Sequence, residues 1–222
     1  TLCLRCPEPM SSWARRVWEP MAQELGSEAF LHAAADEQRP AMERLRAIEI
    51  LTEKFNGLDS DLLATLARSP RPAVRARAAW SLGRSQTRTP RVSLLEQFLS
   101  DTEPFVVRCG LEACLGADQQ TMADLAGPLA KALGHDDMYV RQAAMRAVIR
   151  ADEDTYQEIA VEAAPTGWQA GISLAFVYAA RHEGLDAYTL DVAMRVLTGN
   201  HPAELKRQAV RLLEVGLGTC GP

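Results

Sequence analysis

One short segment recurs along this chain at a nearly constant spacing. The copies at 74–82, 107–115 and 140–148 align without gaps, begin 33 residues apart, and start with valine followed by arginine. With two less regular copies and one degenerate copy, the first positions of the motif are 43, 74, 107, 140, 168 and 205. A repeat of this length is one supersecondary unit that buries its apolar face only by stacking on its neighbours. The repeat therefore limits the fold more than any other feature.

Within each copy, the apolar residues are spaced as on one face of an α-helix. Positions 1, 5 and 9 are mostly apolar and position 8 is small or apolar, which places them on a single helical stripe. Small residues recur in this stripe and let neighbouring helices approach closely: Ala47, Ala78, Ala144 and Ala209. No sustained alternation of β-branched residues indicates a strand. We therefore predict an all-α fold.

Proline and glycine mark the ends of these helices. A proline lies two or three residues before the motif at Pro72, Pro104, Pro165 and Pro202, where the missing N–H costs nothing in the first turn of a helix. Glycines fall where helices should end, at 57, 83, 116, 134, 184 and 199. Second helices are predicted over 59–68, 90–99, 120–133, 153–163 and 186–198. The repeat unit is then a helical hairpin, and the chain holds about six.

The first 37 residues do not carry the motif. Trp13, Val17, Met21 and Leu25 form one helical stripe interrupted by Pro20, and a second, shorter helix is predicted over 28–35. We interpret 1–37 as an N-terminal helical cap that shields the first repeat, or as an imperfect repeat. Residues 38–222 are predicted to form the repeat array as one continuous domain.

Proline, an aliphatic residue, arginine, small residues and leucine at a period near 33 resemble HEAT repeats over roughly 38–217. The pattern is most similar to the short bacterial variety first described in phycobilisome lyases. This resemblance implies a right-handed α–α superhelix. A looser similarity, over 44–47 and 72–77, is to HEAT segments inside large multidomain exported bacterial proteins, which implies that the chain is part of a longer protein.

In HEAT repeats, the arginine after the first motif position commonly pairs with an acidic residue near the start of the repeat, so that the pairs form a ladder. The resemblance implies that Arg141 pairs with Asp136 or Asp137. It also implies that Arg108 pairs with Asp101 or Glu103. Arg75 has no acidic residue in the corresponding turn, so the ladder is expected to be incomplete.

The charge balance bears on the kind of partner. The net charge is −5, which argues against double-stranded nucleic acid as a partner of this chain. The 24 basic residues are 21 arginines and three lysines, which indicates either recognition of phosphate or carboxylate groups or a genome whose codons favour arginine. No stretch reaches the roughly 18 apolar residues of a membrane span. We expect a cytoplasmic protein, or an exported one if the chain belongs to a larger exported protein.

The cysteines do not complete a recognisable site. Cys3 and Cys6 have the spacing of a disulfide, a redox pair or half a zinc site, but Pro7 replaces the histidine of a haem site and no second ligand pair follows. Cys109 and Cys114 are expected to be buried structural thiols. Cys220 reaches another cysteine only if the chain ends meet. We therefore predict no metal and no cofactor.

The remaining polar motifs favour structural roles. His182-Glu183 is similar to the dyads of HEAT-fold iron hydroxylases, but one dyad cannot hold two irons. The acidic pairs at 136–137 and 152–154 are expected to cap helices. Trp168 and Tyr139 are the candidate binding anchors if they are exposed on the concave face, which we expect the second helices to form. The irregular repeat between 165 and 205 is the first place to look for a special function.

We therefore predict a non-catalytic scaffold that binds protein partners. The sequence names neither the partner nor the oligomeric state. The first alternative is a HEAT-like DNA glycosylase or polyanion-binding module, with Trp168, Arg141 and Asp137 in its groove. The second alternative, from repeat similarity, is a chromophore-lyase-like module.

Overall fold

The structure is a computed structural model that describes residues 2–6, 11–84, 92–216 and 218. Within these ranges the regular structure is entirely helical, with fourteen α-helices, two short 3₁₀-helices and no strand. This confirms the predicted all-α class. The α-helices are α1 Ser12–Leu25, α2 Glu28–Ala35, α3 Ala41–Lys54, α4 Ser60–Leu66, α5 Pro72–Arg84, α6 Val92–Leu99, α7 Pro104–Cys114, α8 Gln119–Asp124, α9 Ala126–Leu133, α10 Met138–Val148, α11 Glu153–Ala163, α12 Trp168–His182, α13 Ala187–Thr198 and α14 Ala203–Gly216. The 3₁₀-helices are Leu2–Arg5 and Ala164–Thr166.

Every copy of the sequence motif lies on one of these helices. The motif helices are α3, α5, α7, α10, α12 and α14. A second helix precedes each of them, which gives about six hairpins as predicted; the helix that precedes α3 is α2, which we had placed in the cap. The helix predicted over 120–133 is divided into α8 and α9. Pro128 explains the break, because its ring clashes with the carbonyl of Asp124, where α8 ends.

The chain divides into two compact units, residues 1–116 and 117–222. The division falls between α7 and α8, inside the array that we predicted to be one domain. The boundary at 37–38 between cap and array stays a prediction.

In the first unit, the motif helices α3, α5 and α7 pack side by side, with α2 against α3 and α6 against α7. Gly83 allows the close approach of α5 and α7. A Cβ added at Gly83 would lie 2.7 Å from the Cα of Ala113. Gly83, expected to mark a helix end, thus lies within the last turn of α5 and serves packing.

The first helix buries a different face from the apolar stripe found in the sequence, of which only Met21 packs against the core. The buried face of α1 is Ala14, Trp18 and Ala22, whereas Trp13 and Val17 are about half exposed. Both sets have i, i+4 spacing, so the spacing alone does not choose between them. One alanine lies a turn before Trp18 and one a turn after it, which lets the helix approach its neighbours closely. The Arg46 guanidinium lies 4.6 Å from the Trp18 ring centre. Of the two tryptophans of α1, Trp18 is therefore buried and Trp13 is exposed.

In the second unit, α12 packs between α10 and α14, and α13 packs on both α12 and α14. The second helices α9 and α11 pack against each other. Two hydrogen bonds hold α12 in place: the Ser173 hydroxyl donates to the Leu133 carbonyl at 2.8 Å, and the Gln169 amide donates to Gln208 of α14 at 2.7 Å. Three adjacent motif helices therefore form one layer of this unit.

Candidate functional site

The arginines of the expected ladder have other partners than the resemblance implied. Arg75, expected to lack a partner, donates to both carboxylate oxygens of Asp101, at 2.6 and 2.8 Å, and to the Ser69 carbonyl. Arg108, expected to pair with Asp101 or Glu103, instead donates to Glu112 on its own helix. Asp101 lies in the turn after α6, where the arginine of the preceding motif helix reaches it. The pair therefore links one repeat to the next.

Arg141 and the acidic pair beside it stabilise the start of α10. One Arg141 nitrogen donates to the carbonyls of His135 and Asp136, each at 2.7 Å. The Asp137 carboxylate accepts hydrogen bonds from the backbone of Tyr139 and Val140. Asp137 thus caps the helix, as expected, and Arg141 contacts backbone oxygens instead of a carboxylate.

Three glutamates of α3 bind a second group of arginines that the sequence did not reveal. Each glutamate forms ion pairs with two arginines on different segments. The pairs are Glu43 with Arg5 and Arg39, Glu49 with Arg46 and Arg77, and Glu53 with Arg15 and Arg84. Hydrogen bonds from Arg5 and Arg39 hold the pKa of the Glu43 carboxyl below its usual value. Much of the arginine excess in the first unit is thus bound within the fold.

Three of the described cysteines, Cys3, Cys109 and Cys114, are buried free thiols. Cys3 is buried, and its thiol donates to the Trp18 carbonyl at 3.9 Å. Burial raises the pKa of Cys109 to about 11 and that of Cys114 to about 12. Cys220 lies outside the described residues. In the part of the chain that the structure describes, no three His, Cys, Asp or Glu residues are grouped so as to hold a metal ion.

An apolar cavity of about 490 Å³ opens along α10, α12 and α14. Its apolar lining is Met138 and Met145 of α10, Ile149 directly after α10, and Phe176 and Val177 of α12. Met138 is 48% exposed and Ile149 is 39% exposed, so apolar side chains at both ends of α10 are open to solvent. We call this cavity, with its rim residues, the α10–α14 groove. It lies on motif helices, whereas we expected the second helices to form the binding surface.

The rim of the α10–α14 groove carries positive charge. Arg141 and Arg146 line it from α10, and Glu204 lines it from α14. Arg207 donates to Glu204 at 3.1 Å from its Nε. Hydrogen bonds from Arg207 and Gln208 keep the pKa of the Glu204 carboxyl below its usual value. Arg146 is exposed and forms no ion pair with any described residue. The rim is therefore locally cationic in a chain whose net charge is −5.

The two predicted binding anchors do not meet in one site. Trp168 is 40% exposed and contacts the His201 ring edge-on at 5.4 Å. It lines a separate cavity of about 510 Å³ with Tyr188 of α13. Tyr139 is exposed in the first turn of α10. Their roles as anchors stay predictions.

The α10–α14 groove had a sequence signal that the repeat analysis missed. Val140, Ala144 and Val148 form the buried stripe of α10. Met138, Met145 and Ile149 form a second apolar set on the same short segment. An apolar residue outside the buried stripe of an otherwise amphipathic helix marks an exposed apolar surface.

The chain resembles solved structures in fold. No protein-family model matches it, and no curated protein matches it in sequence. An engineered protein solved by the Northeast Structural Genomics Consortium aligns with 85% of this chain and 97% of its own, at 15% identity and a TM-score of 0.53. A designed armadillo repeat protein aligns with 86% of this chain and 99% of its own, at 13% identity and a TM-score of 0.50. A second engineered protein from that consortium covers 96% of this chain and 62% of its own, at 17% identity and a TM-score of 0.53.

These likenesses show the fold class alone: the chain is a helical-repeat solenoid. They do not distinguish the bacterial HEAT variety from other helical repeats. Among the described helices, none is both long and apolar enough to cross a membrane.

Proposed function

We propose that the chain is a non-catalytic interaction module and that its α10–α14 groove binds a segment of a protein partner. The observation that carries the proposal is the groove itself, which is lined by exposed Met138 and Ile149 together with Phe176. Exposed apolar surface in a concave site is typical of binding sites. Methionine adapts its shape to different apolar partners.

The motif supports a finer assignment of the repeats. We propose that they are HEAT repeats of the short bacterial variety, because valine followed by arginine recurs at a spacing of 33 residues and a proline precedes several of the copies. In that family the fold carries many functions, so the assignment supports a binding role without naming a partner. A chromophore-lyase-like module is the alternative that rests on the same resemblance.

The residues considered for a glycosylase have structural contacts instead. Arg141 donates to two backbone carbonyls, and Asp137 caps the helix that carries it. Trp168 lines a different cavity from the one that Arg141 lines. These three side chains do not converge on one place where a flipped base would bind, which favours the non-catalytic proposal.

A matched pair of methionine variants tests the proposal. Met138 lies in the groove and Met194 lies on α13 outside it, and the two side chains are almost equally exposed, at 48% and 49%. The chain is used to select binders from a display library of random linear peptides of about 15 residues. We expect Met138→Glu to lower the affinity for the selected peptides by about tenfold or more, because a charge is then placed in the apolar contact.

Met194→Glu should leave the affinity unchanged, as measured by fluorescence anisotropy. Both changes introduce a carboxylate on an exposed part of a helix, so neither should unfold the protein. Equal affinities of the two variants, or a library that yields no binder, would contradict the proposal.

A further inference from the structure

The exposed side of α10 has the spacing of a helix-binding surface. Five of its positions and the residue that caps its end line the groove: 138, 141, 142, 145, 146 and 149. They follow i, i+3, i+4, i+7, i+8 and i+11, which is the pattern that meets another helix along its length. The eleven residues of α10 extend over about 16 Å. The pattern therefore continues through three turns instead of forming a single pocket.

The arrangement of the three helices leaves a groove that one side of another helix can enter. Since α10 and α14 each pack on α12, and packed helices lie about 8–10 Å apart, α10 and α14 flank α12 at about that distance on either side. An α-helix with its side chains is about 10 Å across. The cavity of about 490 Å³ is smaller than such a helix, so a helix can lie over α12 with only its apolar side between α10 and α14.

The polar lining does not suit an extended peptide. An extended segment exposes backbone N–H and C=O groups that need partners when they are buried. The walls are helices whose own backbone groups are paired internally. The Gln208 amide already binds Gln169 and Glu204, and the Arg141 Nη1 binds two carbonyls. A helix brings its backbone groups already paired, so it needs only apolar contacts from this groove.

The positive charge of the rim favours acidic residues beside the apolar stripe of that helix. Arg146 is unpaired among the described residues, and Arg141 is held in place by backbone oxygens. The carboxylate that lines the groove, Glu204, is already bound by Arg207. Complementary charge at an interface rim steers association and sets specificity. Acidic side chains beside the apolar stripe of the incoming helix would meet these arginines.

We infer that the α10–α14 groove binds an amphipathic α-helix of another protein, with apolar residues at i, i+3 or i+4 and i+7 and with Asp or Glu beside them. This inference rests on the proposed function and specifies the partner for the same groove.

The selected peptides themselves test the inference. We expect binders whose affinity depends on Met138 to share the i, i+3 or i+4, i+7 apolar pattern with acidic flanks, and to gain helical circular dichroism on binding. A proline placed at the centre of such a peptide should weaken binding by at least tenfold, because proline breaks the helix.

A second matched pair tests the charge. Arg146 lines the groove and Lys131 is an exposed residue of α9 outside it. Arg146→Glu should lower the affinity for an acidic helical peptide by about tenfold at 0.15 M salt, and by more at lower salt. Lys131→Glu should leave this affinity unchanged.

The outcomes separate the two proposals. Binders that depend on Met138 but are proline-rich, basic or unstructured when bound would overturn the helix inference and leave the interaction module standing. Polyphosphate that displaces the peptides and binds with the same dependence on Arg146 would also overturn it, because a polyanion site would then explain the charge. Peptide binding that is insensitive to Met138 would overturn both proposals.

Discussion

Asp101 shows how a single carboxylate can join two repeats. Its side chain is largely buried and binds Arg75 through both oxygens. Burial would raise the pKa of the Asp101 carboxyl, but hydrogen bonds from Arg75 and from the Glu103 backbone lower it below its usual value. The Arg75 guanidinium is thus matched to a carboxylate that is charged in the folded chain.

Replacement of this carboxylate should destabilise the chain. We expect Asp101→Asn to lower the free energy of unfolding by about 1–3 kcal/mol, because a charge-assisted pair is lost in a largely buried place. The matched control is Glu112→Gln, since the Arg108–Glu112 pair is an exposed i, i+4 pair worth only about 0.3–0.5 kcal/mol. Urea unfolding followed by circular dichroism measures both. Equal losses in the two variants would contradict the role given to Asp101.

The same pair sets a pH dependence. The pKa of Asp101 is lower in the folded chain than in the unfolded one, so its contribution is complete above the unfolded value of about 4. The contribution is lost as the pH falls through the lowered folded value. The difference in stability between the chain and Asp101→Asn should therefore shrink below about pH 4. A difference that grew on acidification would contradict the lowered pKa.

At the scale of the helices, local sequence patterns predicted where most helices lie in the chain but few of the contacts between them. The copies at 74–82, 107–115 and 140–148 lie on α5, α7 and α10, since a 33-residue period and a helical stripe are local signals. The carboxylate that binds Arg75 lies 26 residues away. Such a pair depends on how repeats stack, and the distance along the chain does not reveal it.

The first helix shows a second limit of sequence patterns. Trp13 and Trp18 both belong to a series of residues with i, i+4 spacing, so the spacing does not show which one is buried. Packing against α3 and the N-terminal segment buries Trp18. The α10–α14 groove was missed for a related reason. Three helices from three repeats form it, and no single repeat contains its shape.

Gly83 gives a test of helix packing. Alanine is usually favoured over glycine within a helix by about 1 kcal/mol. At Gly83 the added Cβ would lie 2.7 Å from a backbone atom of Ala113, so we expect Gly83→Ala to destabilise the chain by about 1–3 kcal/mol.

Gly127 is the matched control, because a Cβ there has no neighbouring atom within 4 Å. Gly127→Ala should be neutral or stabilising by up to about 1 kcal/mol. Thermal or urea unfolding of both variants decides the matter. Stabilisation by Gly83→Ala would show that α5 and α7 are not so closely packed.

At the scale of the whole chain, some arginines form ion pairs within the fold, and others remain open to a partner. The glutamates of α3 engage six arginines within the first unit. In the second unit, Arg146 of the groove rim is left without such a partner among the described residues. An acidic chain can therefore present a cationic rim, and net charge alone does not define the partner.

The central claim is that the α10–α14 groove of this helical-repeat chain binds a segment of another protein. Methionine-methyl NMR tests it directly, because Met138 and Met145 line the groove while Met42 and Met194 lie elsewhere. On titration with a peptide selected by the chain, the Met138 and Met145 methyl signals should shift and saturate together, and those of Met42 and Met194 should stay in place. Shifts at Met42 or Met194, with Met138 and Met145 unchanged, would contradict the claim.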